Sequence, residues 1–260
     1  MIIGASVIIA SIIIAISIFA ASGQISSSLN SLSLGSAVNT GTGSAQAQTP
    51  PTTIATAPTT TASSAPSTFN LQMLTNKPYL GNPNASVIMV EFGDLQCPFC
   101  AEYFSQSEPQ ILQNYVNTGK IEYVWMNFPL TQIHPNAENA ADAAMCVYHL
   151  AGNTAFWKFH DIVYQNTNTV NVAYAINDSN WATWAGQAGV NATAFASCYS
   201  SKQYDSEVQS DESNGITYGV GGTPTFYIVN AKTGSYTSVV GAQPYAAFQS
   251  ALDSAISQAG

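Results

Sequence analysis

The sequence predicts an α/β domain whose sheet is interrupted by a helical insertion, preceded by an N-terminal hydrophobic helix and a long disordered stalk. Three observations predict it. Composition changes sharply near residue 69, short apolar runs alternate with helical spacing beyond residue 70, and a helical stretch over about 136–218 separates two groups of strands.

The first segment, 1–22, contains an apolar run from Ile2 to Ala20 broken only by Gly4, Ser6, Ser11 and Ser17. Its length is close to the roughly 20 residues that span a bilayer, and it has no Lys or Arg, so a retained transmembrane anchor is favoured over a cleaved signal. Ala20-Ala21-Ser22 is the cleavage site under the second reading. No charged side chain precedes Lys77, so charge bias assigns no orientation. Residues 23–69 are Ser, Thr, Ala, Gly, Gln and Pro almost throughout, with no aromatic before Phe69. Such a segment cannot bury enough apolar surface to offset its ordering entropy. It reads as a flexible linker, about 35–40 Å end to end as a coil.

The domain over 70–260 begins with Ser86–Phe92, a central-strand run, followed by a turn at Asp94–Cys97. Helical spacing then runs from Pro98 to about Asn117, with Pro109 as a point of kinking and Thr118-Gly119 as the stop. Ile121–Phe128 is a second strand, and strand-helix-strand in this order implies a parallel crossover. The insertion contains helices over Ala137–Leu150, Ala155–Gln165, Asn180–Ala188, Ala192–Ser200 and Tyr204–Glu212, with an Asn- and Thr-rich break. Strands at Thr225–Val229 and Tyr236–Val240 and a helix over Tyr245–Ala259 close the domain.

Charge narrows the function classes. The chain has five Lys, no Arg and fourteen acids, a formal net charge of -9. Nucleic acid is excluded as a partner, because phosphate binding requires clustered cations.

The sharpest chemical signal is Cys97-Pro98-Phe99-Cys100 where a strand turns into a helix. With Cys97 at the N-cap and Pro98 at the first helical position, proline loses no intrahelical hydrogen bond. The Cys97 sulfur then meets the unpaired N–H groups and positive end of the helix, which stabilise a thiolate. Cys100 lies one turn deeper on the same face. Each pKa unit lost is worth about 1.4 kcal/mol in favour of the reduced form, making the pair more oxidising. A zinc site would need two further ligands at matching spacing, and Cys146 and Cys198 are isolated. A structural bridge closing so short a loop adds little stability. No metal and no cofactor beyond the cysteine pair is expected. His134, His149 and His160 show no ligand-like spacing and are assigned to surface or core.

A second signal is Gly222-Thr223-Pro224-Thr225-Phe226, with proline at the start of a strand. Together with Val90-Glu91-Phe92-Gly93-Asp94-Leu95-Gln96 before the cysteines, it resembles the DsbA family of thiol-disulfide oxidoreductases, over roughly residues 70–260. The resemblance implies a thioredoxin-like fold, a cis Thr223-Pro224 bond opposite the cysteines, and a substrate-binding surface of Pro98, Phe99, Thr223 and Pro224. By alternation Glu91 could face inward or outward; the resemblance implies a buried acid that relays a proton to Cys100. It also implies that Cys146 and Cys198 can form a structural disulfide. The chain departs from the best-studied members at Phe99, where they carry His, so one electrostatic contribution to the thiolate is missing. The implied function is disulfide introduction or exchange in reduced exported proteins, outside the cytoplasm, with a membrane redox partner for reoxidation. A reductase or isomerase, or a peptide-binding module without turnover, shares the same motifs.

Overall fold

The computed structural model describes residues 65–167 and 176–260. The expected anchor or signal segment over 1–22 and the expected linker as far as residue 64 lie outside the described residues, as does the break at 168–175. Among the described residues no helix is long and apolar enough to cross a membrane.

Five strands are described: β1 (Tyr79–Gly81), β2 (Val87–Gly93), β3 (Glu122–Asn127), β4 (Thr225–Asn230) and β5 (Tyr236–Val240). They form one sheet in the order β1-β3-β2-β4-β5. β2 and β3 are parallel, with Ile88 beside Glu122 and Gly93 beside Asn127. The other pairings are antiparallel. β2 is buried along its whole length because it is central and covered on both faces, which is why its sequence is an almost continuous apolar run.

The helices are α1 (Pro98–Gln106), α2 (Glu108–Ile111), α3 (Ala137–Asn166), α4 (Asp178–Ala188), α5 (Ala192–Ser200), α6 (Asp205–Thr217) and α7 (Tyr245–Ala259). Val87 and Met89, with Tyr123, Trp125, Phe226 and Ile228, share a core with Cys100, Ala101 and Tyr103 of α1, Phe156 and Phe159 of α3, and Phe248 and Leu252 of α7. Ile88, Val90 and Phe92 point to the other face, where they meet Val124, Met126, Tyr227 and Val229. There α6 comes close because residue 215 is glycine. A Cβ at that position would lie 2.5 Å from the Phe128 ring.

Several boundaries differ from expectation. The helix expected over 98–117 is divided at Ser107, and Pro109 sits in the first turn of α2, where its missing N–H is harmless. A π-turn over Leu112–Val116 follows. The two helices expected over 137–150 and 155–165 are nearly continuous, interrupted at Gly152, whose φ of 80° no side chain adopts easily. Phe69, at the end of the expected linker, is buried and stacks on Tyr218, whose hydroxyl donates to the Thr68 carbonyl. β1 and a 3₁₀ turn at Leu71–Leu74 were not expected; both are too short to show a period.

Two cross-links hold the insertion to the sheet and to itself. Buried Lys77 pairs with Asp211 of α6 at 2.7 Å and with Glu207 at 2.9 Å. Asp211 also accepts from the backbone N–H of Asn127 at 3.1 Å and from its side chain at 3.0 Å. Cys146 of α3 and Cys198 of α5 are bonded, with an S–S distance of 1.94 Å.

Candidate active site

β2 ends at Gly93, and the chain must reverse into α1 within four residues. Asp94 organises that reversal: its carbonyl accepts from Cys97 N–H at 2.9 Å, and its Oδ1 from Gln96 N–H at 2.8 Å. A loop beyond β3 docks onto the same turn. Phe128 N–H donates to Gly93 O at 2.8 Å, Leu130 N–H to Asp94 Oδ2 at 3.0 Å, and Asn136 N–H to Gln96 Oε1 at 2.7 Å. His134 Nδ1 lies 2.6 Å from Asp94 Oδ2. From α3, Tyr164 donates its phenol to the Asp94 carbonyl at 3.2 Å.

Cys97 is the N-cap of α1 in extended conformation, and Pro98 opens the helix. Both cysteines are free, Cys97 at 3% exposure and Cys100 completely enclosed. Phe99 projects beside them, 60% exposed. The Cys97 thiol points at the Thr223 carbonyl oxygen, 3.4 Å away, and Thr223-Pro224 is a cis peptide bond. The turn expected before a strand therefore lies directly against the turn expected before a helix, 126 residues apart.

The two thiols are unequal. Hydrogen bonding from the Cys100 thiol brings Cys97 down to about 6 against the opposing effect of burial, with further help from Thr223 and the Cys100 N–H. The Thr223 hydroxyl is buried without another partner, so it is available to a thiolate. Burial holds Cys100 well above the usual thiol range, and the neighbouring Cys97 and Glu91 charges act in the same sense. This asymmetry leaves Cys97 as the sulfur carrying negative charge at neutral pH.

Glu91 points to the same side of β2 as Val87 and Met89, toward α1, and is almost completely enclosed. Tyr123 of β3 donates its phenol to Glu91 Oε2, while Oε1 has no hydrogen-bond partner among the described residues. Burial pushes its carboxyl up to about 8. Glu91 is thus mostly protonated at neutral pH and can supply or take a proton. Behind it lie Tyr103 and Glu108, both buried and both pushed well up by burial.

Tyr123 was not singled out from sequence, and His134 was assigned to surface or core without a role at the site. Tyr123 reads as an ordinary apolar strand position, and His134 has no spacing relation to the cysteines. Cys146 and Cys198 lie in the insertion and take no part in the cluster. Among the described residues no three His, Cys, Asp or Glu side chains converge as metal ligands.

The comparisons with known proteins agree with this geometry. A sequence model of the thioredoxin family matches residues 74–254. A putative protein-disulfide oxidoreductase of Rickettsia bellii is 28% identical over 165 residues, covering 62% of this chain and 60% of that protein. A Na(+)/H(+) antiporter NhaA 3 of Salinispora tropica is 28% identical over 148 residues, 57% of this chain but 21% of the antiporter. The matched stretch therefore spans only about one fifth of the antiporter and less than two thirds of the Rickettsia protein. Among solved structures, oxidised BdbD of Bacillus subtilis superposes with a TM-score of 0.61 at 21% identity, covering 75% of this chain and 99% of that one. The chain belongs to the thioredoxin family and shares the fold of its DsbA-like members.

Proposed function

We propose that this chain is a protein thiol-disulfide oxidoreductase, acting through Cys97-Pro98-Phe99-Cys100 on reduced proteins outside the cytoplasm. The observation that carries the reading is the inequality of the two sulfurs: Cys97 at a helix N-terminus, lowered to about 6, above an enclosed Cys100 held well above the usual thiol range.

The reaction starts from the Cys97–Cys100 disulfide. A substrate thiolate attacks Cys97 Sγ, the S–S bond breaks, and its electron pair leaves on Cys100, which takes a proton from Glu91. The substrate's second thiolate attacks the substrate sulfur of the mixed disulfide, and Cys97 leaves as the stabilised thiolate. Two electrons pass from two substrate thiols to the cysteine pair, and one substrate disulfide forms. Thr223 and Pro224 stand against Cys97, where extended substrate backbone would lie, and exposed Phe99 adds an apolar contact. No metal or organic cofactor enters this scheme. Reoxidation falls to a membrane redox partner.

Extracytoplasmic placement draws support from the Cys146–Cys198 bridge, since such bonds persist in oxidising compartments. Residues 1–22 would tether the domain to the membrane, and the segment from residue 23 to residue 64, before the stretch that packs on the domain, would give it reach. Ion transport is not carried over from the antiporter, of which the matched stretch is a minor part.

The test is oxidation of a reduced, unfolded protein by the full chain. Cys97→Ser should abolish it, and retained activity would overturn the assignment. The equilibrium against glutathione separates an oxidase from a reductase or isomerase. A pair that never exchanges would leave peptide binding alone.

A further inference from the structure

The motif brings no charge of its own, since Pro98 and Phe99 are uncharged, yet a carboxylate lies three residues before Cys97. Asp94 is buried and opposes a negative charge on the Cys97 sulfur. A bare carboxylate there would work against the oxidising role read above, on which the following inference rests. The structure does not leave it bare. Its Oδ2 pairs with His134 at 2.6 Å, inside a loop that four hydrogen bonds or ion contacts fasten to Gly93, Asp94 and Gln96.

We propose that His134 is a positioning residue for the redox pair: as an imidazolium it cancels the Asp94 carboxylate, so that the Cys97 thiolate forms next to a neutral pair rather than next to an anion. Three features support this. The imidazole is almost fully enclosed, so its charge is poorly screened. Asp94 raises its pKa by hydrogen bonding and, against the opposing effect of burial, by charge, which favours the imidazolium. The Cys97 charge acts on His134 in the same direction, so the imidazole and the sulfur are electrostatically linked. The other titratable groups around this pair are Cys100 on α1, Glu91 on β2 and Tyr164 on α3. Among the described residues all three are shifted toward their protonated, uncharged forms, so none of them adds a charge beside Cys97 that would stand in for the imidazolium.

Linkage gives the idea a signature. If the imidazolium stabilises the thiolate, the thiolate stabilises the imidazolium equally. Converting the cysteines to a disulfide removes that charge, and the His134 pKa must fall. NMR titration of the three imidazoles in the intact wild-type chain, reduced and then oxidised, reads this without any substitution in the measured protein. His134 should titrate about half a unit or more higher in the reduced form; identical values in the two forms would overturn the proposal.

Substitution supplies opposite signs. In His134→Gln the thiolate absorbance titration of the full chain should move the Cys97 pKa up by about one unit, and the glutathione equilibrium should shift roughly five- to tenfold toward the disulfide. In Asp94→Asn the Cys97 pKa should move down, and the double variant should return close to wild type. A merely structural pair would move both single variants the same way, or neither, and that result would also overturn it. A wild-type pair that does not exchange with glutathione sinks the oxidoreductase reading itself; exchange with an unmoved His134→Gln sinks only this inference.

Discussion

Tyr123 donates its phenolic hydrogen to Glu91 Oε2 from the neighbouring parallel strand, so the acid beneath the cysteines has one oxygen held and one without a hydrogen-bond partner among the described residues. Because burial raises its carboxyl to about 8, Glu91 carries a transferable proton at the pH where Cys100 must receive one. Glu91→Gln keeps the shape and an acceptor for Tyr123 but removes the proton. Release of Cys100 during reduction of the disulfide should slow on the order of 10- to 100-fold near neutral pH, read by stopped-flow tryptophan fluorescence. An unchanged rate would remove Glu91 from the reaction.

The same residue has a pH-dependent cost. A carboxyl raised from 4.5 to about 8 on folding makes its full contribution to the fold below its unfolded value, and that contribution is lost progressively as pH rises from the unfolded value through the folded one. Oxidised Glu91→Gln should therefore match oxidised wild type near pH 4 and exceed it by about 3 kcal/mol at pH 7. Urea denaturation at the two pH values checks the sign.

Cys97 carries the opposite sign. Its thiol is lowered from 9.0 to about 6, so the stabilisation of the reduced form is present above the unfolded value and is lost as pH falls through the folded one. The stability of reduced relative to oxidised protein should decline between about pH 9 and pH 6. Thr223→Val removes a buried hydroxyl that favours the thiolate while conserving branching and volume, and should raise the Cys97 pKa by about half a unit.

What the sequence made legible follows from period and punctuation. β5 and α7 have the bounds their apolar spacing predicts, and Cys97 takes the N-cap that Pro98 implies. Alternation could not orient Glu91, because a central strand is apolar on both faces. It is the packing of α1, α3 and α7 on one of them that assigns its direction. His134 was hidden for a different reason. Its partner Asp94 is 40 residues earlier, and no local pattern tells that a loop with Pro129 and Pro135 folds back onto the turn. Lys77 could have been noticed as the first charge after a long uncharged segment, but its partners lie on α6, 130 and more residues away.

The Lys77 pair is an interior ionic contact with little room for repair. Lys77 is held above its usual range by Asp211 and Glu207 against the effect of burial, while burial itself raises Asp211. Lys77→Met would leave the Asp211 carboxylate enclosed with only the two Asn127 hydrogen bonds. The expected loss is about 3–5 kcal/mol at neutral pH, because an uncompensated buried charge remains. Replacing both partners, as Lys77→Met with Asp211→Asn, removes the charge while keeping an acceptor for Asn127 and should recover part of it; a double variant no better than the single would refute the charge explanation.

The remaining staple, Cys146–Cys198, joins α3 to α5 across a separation of 52 residues. In the chain-entropy account, closing a loop of that size disfavours the unfolded state by about 4 kcal/mol. Cys146→Ala with Cys198→Ala leaves two small cavities in an apolar site, adding a smaller packing loss. The variant should lose on the order of 4–5 kcal/mol, measured by denaturant midpoint under non-reducing conditions. Activity distinguishes this bridge from the other pair. Both cysteines lie in the insertion rather than in the cluster around Cys97, so the folded variant should retain wild-type exchange with glutathione. A changed redox equilibrium in a folded variant would mean that the insertion and the active site are coupled more closely than the described contacts imply.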